Sequence, residues 1–227
     1  MNKFYIVATP IGNLEDITYR AVKVLSSVDL IYAEDTRRAR ILLDRYKIKT
    51  PVKSYHQHSG NEAQIIDVIK RNKSIAYISD AGTPGISDPG QKLISAATST
   101  LAHKKDTVCG NIEIEAIPGP SGVISALSIS GFPTDKFIFA GFLPHKKGRK
   151  TTLRNLTKED KTIVLYESPY RILKTLDQIK EVLGDREAMI ARELTKKFET
   201  IYRGRISEII NQIKPKGEFI IVVKGKK

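Results

Sequence analysis

One cysteine, Cys109, occurs in 227 residues. An internal disulfide is therefore impossible, and a thiolate-bound metal cluster has no ligands. Nothing in the sequence activates Cys109 as a nucleophile, so it reads as a bystander. No apolar run reaches the roughly 18 residues that a membrane-spanning helix needs. The first residues, Met1-Asn2-Lys3-Phe4-Tyr5-Ile6-Val7-Ala8, are too short for a secretory leader. A soluble, cytoplasmic protein without a membrane partner is expected. Neither a Gly-x-Gly-x-x-Gly nor a P-loop pattern occurs, which removes support for nicotinamide and ATP enzymes. His56-Gln57-His58 offers two imidazoles but no third ligand close by, so no metal is expected. Acidic residues are absent from 137 to 158.

What is present is positive charge. Thirty-eight Lys and Arg against 25 Asp and Glu give a net charge of +13 and a pI of about 9.7. A surplus of this size suggests a polyanionic partner. It concentrates in His145-Lys146-Lys147-Gly148-Arg149-Lys150, inside the stretch that lacks acids. A basic loop of this kind can follow a nucleic-acid backbone, and the alternative is a solvated surface loop. The loop is expected to have little to pack against.

Strand-like runs recur at Tyr5–Ala8, Leu30–Ala33, Ile75–Ile78, Ile112–Ile117, Phe137–Phe142, Thr162–Tyr166, Ala188–Ala191 and Phe219–Val223. Most are continuously apolar, as in strands buried on both faces. Helical stripes lie between them: Ile65, Ile66 and Ile69; Ile172, Leu176, Ile179 and Leu183; Ile206, Ile209, Ile210 and Ile213. Alternating strand and helix predicts an α/β fold. Pro118-Gly119-Pro120 is the best boundary, giving α/β domains over 1–117 and 118–227.

The loop Ser79-Asp80-Ala81-Gly82-Thr83-Pro84-Gly85-Ile86-Ser87-Asp88-Pro89-Gly90 follows the run Ile75–Ile78 and precedes an amphipathic run from Gln91. Open α/β sheets bind ligands at such carboxyl ends of strands. Its glycines permit positive φ or close approach of backbone to a ligand. A tight connection with no ligand is the other reading.

Further motifs stand in order along the chain. They are Ala8-Thr9-Pro10-Ile11-Gly12-Asn13-Leu14, Ala33-Glu34-Asp35-Thr36-Arg37, the loop Ser79 to Gly90 and Ile117-Pro118-Gly119-Pro120-Ser121. After them come Gly141-Phe142-Leu143-Pro144, Tyr166-Glu167-Ser168-Pro169 and Ala191-Arg192-Glu193-Leu194-Thr195-Lys196. Together they resemble the tetrapyrrole-methylase superfamily, the class III S-adenosylmethionine methyltransferases, from Phe4 to about Gly225. The Glu-Asp-Thr-Arg and Ala-Arg-Glu-Leu-Thr motifs resemble the branch that methylates a cytidine ribose 2′-hydroxyl in bacterial 16S rRNA.

The resemblance implies two α/β domains with the cofactor S-adenosyl-L-methionine in the cleft between them. It implies contacts from Pro10, Asp80, Ala81, Gly82, Thr83, Ile86, Ser121, Gly122, Tyr166 and Leu194. It also implies a homodimer acting on 16S rRNA in the 30S subunit. Lys146, Lys147, Arg149 and Lys150 are the candidate phosphate contacts. Two departures from the pattern stand out: a longer segment around 98–111, and Gly122 where alanine is expected.

Methyl transfer from a sulfonium is an in-line displacement, so the protein must chiefly align oxygen, carbon and sulfur. A ribose hydroxyl also gains from a base or a nearby cation. Asp35, Arg37 and Glu193 are the candidate catalytic residues, with Glu167 beside them. Each could equally form a structural ion pair or a helix cap. Two other functions stay open: methylation of a precorrin-type tetrapyrrole, and RNA binding without catalysis.

Overall fold

The computed structural model describes residues 2–55, 60, 62–71, 73–88, 90–102 and 112–226. The chain divides into two compact units, Met1–Ser121 and Gly122–Lys227. Both are α/β.

In the first unit, β1 (Asn2–Val7), β2 (Leu30–Ala33), β3 (Val52–Ser54), β4 (Ile75–Ile78) and β5 (Ile112–Ile117) form one sheet in the order β3-β2-β4-β1-β5. Every pairing is parallel. A parallel sheet needs helical crossovers, and these cover both faces. α1 (Tyr19–Ser27) and α2 (Thr36–Arg45) pack on one face; α3 (Glu62–Lys70) and α4 (Gln91–Ala102) pack on the other.

Alternation along the strands explains the split. Ile31, Ala33, Ala76, Ile78 and Val7 meet Leu25 and Leu43. Leu30, Tyr32, Ile75, Tyr77 and Phe4 meet Ile65, Ile69 and Leu93. Successive side chains of a strand point to opposite faces, so one apolar run feeds two cores. This accounts for the continuous hydrophobicity of β2 and β4, all of whose residues are buried.

The second unit contains α5 (Gly122–Ser128), β6 (Phe137–Phe142), α6 (Arg149–Asn155), β7 (Thr162–Glu167), α7 (Ile172–Leu183), β8 (Glu187–Arg192), β9 (Thr200–Arg205), α8 (Ile206–Ile209) and β10 (Phe219–Val223). Its sheet runs β6-β7-β10-β8-β9. Only β6 and β7 are parallel; β10 is antiparallel to β7 and β8, and β9 is antiparallel to β8. One face packs on α6, α7 and α8 through Leu153, Leu176, Ile179 and Ile206. The other packs on α5 through Val123, Ala126 and Leu127.

The isoleucine stripe to Ile213 makes a helix only over Ile206–Ile209. The short strand β3 and the edge strand β9 have no counterpart among the runs read from the sequence. No helix is long and apolar enough to cross a membrane among the described residues.

Candidate functional site

Parallel pairing places the carboxyl ends of β1, β2, β4 and β5 on one edge of the first sheet. The strand order gives that edge a switch point. The crossover from β1 leads toward β2 with α1 on one face, whereas the crossover from β4 leads to β5 with α4 on the other. A crevice opens between neighbouring strands whose connections diverge in this way. The loops after β1 and β4 flank it, and these are the Ala8 to Leu14 and Ser79 to Gly90 motifs.

Backbone bonds join the two loops. Thr9 N–H donates to the Gly82 carbonyl at 2.9 Å, and Gly82 N–H donates to the Thr9 carbonyl at 3.0 Å. Gly82 has φ +74°, and a β-carbon there would lie 3.2 Å from Ile11 Cγ2. The positive φ favours glycine, and a β-carbon would also crowd the Ile11 methyl. The loop after β5 joins in as well: Thr83 Oγ1 donates to the Pro120 carbonyl at 3.1 Å, and Ala8 N–H donates to the Ile117 carbonyl at 3.1 Å.

Within this constellation Thr9 Oγ1 is buried and has no hydrogen-bond partner among the described residues, with Thr9 only 3% exposed. A buried hydroxyl without a partner is costly, and ligand sites are where such groups persist. The motif Ala8 to Leu14 contains Thr9, but the sequence gives no sign that this hydroxyl is left over. Pro10 and Gly82 are buried, Asp80, Ala81, Thr83 and Ser121 are half-buried, and Ile86 is exposed.

Asp80 ties β4 to α2. Its Oδ1 accepts from Asp35 N–H at 3.0 Å, and its Oδ2 pairs with Arg38 at 3.2 Å. Asp35 caps α2, accepting from Arg37 N–H at 2.8 Å, and its carboxylate also grips the Arg37 guanidinium at 2.7 and 3.1 Å. Hydrogen bonds from the Arg37 side chain and backbone hold the Asp35 carboxyl well below the usual carboxylate range. Arg37 itself is 90% exposed at its side chain. So Asp35 is an ionised cap and a weak base, whereas Arg37 offers a charge to solvent.

In the second unit, Gly122 opens α5 where a β-carbon would lie 3.0 Å from Ile220 Cδ1 and 3.2 Å from Tyr166 Oη. Alanine there would press on both, which gives a local reason for glycine. Tyr166 stacks edgewise on Phe139, with ring centroids 5.1 Å apart. Leu194 packs half-buried beside them. Glu193 and Thr195 both take positive φ, at 53° and 66°. Glu193 Oε1 accepts from Glu218 N–H at 2.8 Å and from Lys196 Nζ at 3.2 Å. Burial pushes the Glu193 carboxyl up, but these bonds outweigh it and leave it below its ordinary value. Its contacts anchor the loop after β8.

The basic segment needs one correction. Lys146, Lys147 and Lys150 are exposed, but Arg149 is buried. Arg149 donates to Gln178 Oε1 at 2.7 Å, to Thr175 Oγ1 at 2.5 Å and to the Pro144 carbonyl at 3.3 Å, and it lies 3.6 Å from Glu167. A guanidinium engaged this way cannot also reach a phosphate. It also gives the loop packing that the sequence did not predict. Glu167 is the centre of this network: it binds Arg171 Nε at 2.7 Å and Nη2 at 3.0 Å, and Thr175 Oγ1 at 2.6 Å. Glu167 is thus fully engaged in buried bonding, not poised for proton transfer.

Among the described residues no group of three His, Cys, Asp or Glu could hold a metal ion. His56 and His58 lie outside the described residues, as does most of the longer segment around 98–111.

A parallel sheet with helices on both faces and a glycine-bearing crevice at its switch point, followed by a mixed-sheet unit, is the architecture of a known class. The family model of Tetrapyrrole (Corrin/Porphyrin) Methylases matches residues 3–210, and the chain belongs to this family. Among solved structures, uroporphyrin-III-C-methyltransferase from Thermus thermophilus shares the fold at 17% identity and a TM-score of 0.67, covering 98% of this chain and 94% of that one. Cobalt precorrin-4 methyltransferase does so at 18% identity and a TM-score of 0.69, with the same coverage.

Sequence relatives are nearer. Ribosomal RNA small subunit methyltransferase I of Thermotoga maritima is 47% identical, covering 100% of both chains. The relatives of the same name from Synechocystis and Bacillus subtilis are 46% and 44% identical, over 99% of this chain and 80% and 76% of theirs.

Proposed function

We propose that the chain transfers a methyl group from S-adenosylmethionine to a cytidine ribose 2′-hydroxyl in 16S rRNA of the small ribosomal subunit. The observation that carries this is the 47% identity, over the full length of both chains, to a relative named for small-subunit rRNA methylation. A homodimer in the cytoplasm accompanies the reading. The tetrapyrrole alternative rests on structural neighbours at 17–18% identity, which speak for fold alone.

The residues after β1 and β4 fit the cofactor. The unpartnered Thr9 hydroxyl, the side-chain-free approach at Gly82 and the half-buried Ala81 and Thr83 form a polar, backbone-rich surface at the switch point. Pro10, Asp80, Ile86 and Ser121 complete this set within the first unit. When bound, S-adenosylmethionine supplies an activated methyl on sulfur. The protein's part is alignment and management of one proton.

Asp35 does not suit the base, because its carboxylate is committed to Arg37 and the cap. Its role is to aim Arg37. The exposed Arg37 charge favours the alkoxide character that develops on the attacking ribose oxygen. Glu193 holds the strained loop that carries Leu194. Lys146, Lys147 and Lys150 meet rRNA phosphates.

The test is mapping of ribose methylation by mass spectrometry on 30S subunits from cells lacking this activity, incubated with the protein and labelled cofactor. A single new ribose-methylated cytidine is expected. Methyl transfer to a precorrin-type tetrapyrrole with none to RNA would refute the assignment.

A further inference from the structure

Several large apolar side chains are exposed on the second unit, among them two aromatic ones that share a support. Tyr170 is 96% exposed and Phe142 is 55% exposed. Isolated exposed aromatics are ordinary, but these two are tied together. Phe142 ends β6 and is followed by Leu143, whose carbonyl accepts from Arg171 Nη2 at 2.9 Å. Arg171 directly follows Tyr170. Its guanidinium is gripped in turn by Glu167 at the end of β7.

So the Arg171 guanidinium, held by the buried Glu167 carboxylate, links the residue after Tyr170 to the backbone just after Phe142. The Phe142 ring is braced from below by Tyr166, at a centroid distance of 5.6 Å and a tilt of 55°. Tyr166 is itself braced by Phe139.

The same network holds the start of the basic segment. Arg149, on the Glu167 cluster, donates to the Pro144 carbonyl. Exposed Lys146 and Lys147 lie between these two pinned points. The result is an arrangement of rings and lysines on one braced scaffold. Rings offer flat faces to bases, and lysines offer charge to the phosphates that connect them. Proteins hold single-stranded nucleic acid by this combination. Duplex RNA keeps its bases stacked internally and has no face to give a protein ring.

We propose that Phe142 and Tyr170 form a base-stacking platform for an unpaired RNA segment, with Lys146 and Lys147 on its backbone. The proposal rests on the reading of rRNA as substrate and names the part of it that is gripped: unstacked nucleotides. Glu167 and Arg171 are positioning residues for the platform.

The experiment measures binding by fluorescence anisotropy with three probes: a labelled single-stranded oligoribonucleotide of about 12 nucleotides, an abasic strand of equal length, and a duplex. Phe142→Ala and Tyr170→Ala should each weaken single-strand binding by about 5- to 150-fold, the span set by one stacked base. Binding to the abasic strand and the salt slope should not change. Tyr170→Phe should bind as the wild type does. Lys146→Ser with Lys147→Ser should show the reverse pattern, with a flatter salt slope and weakened binding to both strands.

Wild-type affinity in both alanine variants would overturn the platform while leaving the rRNA reading intact, provided 30S methylation persists. Equal loss on base-containing and abasic strands would also overturn it, since stacking would not be what was lost. A changed mass in light scattering with unaltered RNA affinity would show instead that the rings contact a second copy. Wild-type protein that neither binds the single strand nor methylates 30S subunits would sink both the platform and the reading beneath it.

Discussion

Removing the Glu167 carboxylate should cost the second unit much of its stability. Glu167 is 2% exposed, and its oxygens receive Arg171, Thr175 and Ser168 N–H, with Arg149 at 3.6 Å. Glu167→Ala leaves two guanidiniums facing each other without a counter-charge, one buried and one mostly so. Loss of one partner from a buried ion cluster costs about 3–5 kcal/mol, far more than the pair contributes beyond a well-packed apolar substitute. Glu167→Ala should therefore lower the unfolding free energy of this unit by about that amount, read from urea transitions. Arg149→Met should be similarly harmful in the wild-type background. In the Glu167→Ala background it should cost less by at least about 1 kcal/mol, because the charge it removes is already unpaired.

The pH dependence has a definite sign. Burial alone raises the Glu167 carboxyl, but the bonds from Arg171, Thr175 and Ser168 outweigh it and leave the folded value below normal. A depressed folded value means that the contribution is complete above the ordinary carboxylate range, about pH 4.3. It is lost as pH falls through the lower folded value. Wild-type stability should thus decline below about pH 4 more steeply than that of Glu167→Gln. Additive costs in the cycle, or equal acid slopes for the two proteins, would refute the reasoning.

Thr9→Val should leave stability unchanged or slightly higher, since it removes an unpaired buried hydroxyl, yet weaken S-adenosylmethionine binding several-fold in calorimetry; unchanged affinity would detach Thr9 from the cofactor. Gly82→Ala should destabilise the first unit by about 1–2 kcal/mol through its positive φ, and any loss of cofactor affinity must be read against that cost. Lys146, Lys147 and Lys150 changed together to Ser should flatten the log-affinity versus log-salt slope for 30S subunits by about 2 units, with cofactor affinity retained; an unaltered slope would move the footprint elsewhere. Arg37→Ala should slow single-turnover methyl transfer while leaving cofactor binding intact, and a wild-type rate would make Arg37 a partner of Asp35 and nothing more.

Much of the fold was legible because its signal is local. Leu30–Ala33, Ile75–Ile78 and Phe219–Val223 are apolar throughout, and a strand with helices on both faces has no polar side to show. The glycine- and proline-rich loop after β4 was legible as a special backbone at a strand end, and Gly82, Gly85 and Gly90 do take positive φ there. The edge strands were harder. β3 is three residues, mostly exposed, and β9 is half-exposed, so each is held mainly by backbone pairing with a neighbour. Backbone bonding leaves no mark on composition.

Side-chain direction was decided by tertiary structure alone. Arg149 sits in the same basic run as Lys146, Lys147 and Lys150, but its partners Glu167, Thr175 and Gln178 lie on β7 and α7. The run's charge could be read; which of its members turned inward could not. The same holds for Thr9, whose hydroxyl is buried without a partner among the described residues at the end of β1, between β4 and β5. By itself, then, the sequence determined which segments are buried, because burial is chosen residue by residue along a strand or helix. The folded chain determined which polar groups meet, because that depends on strand order, and strand order joins residues far apart in the chain.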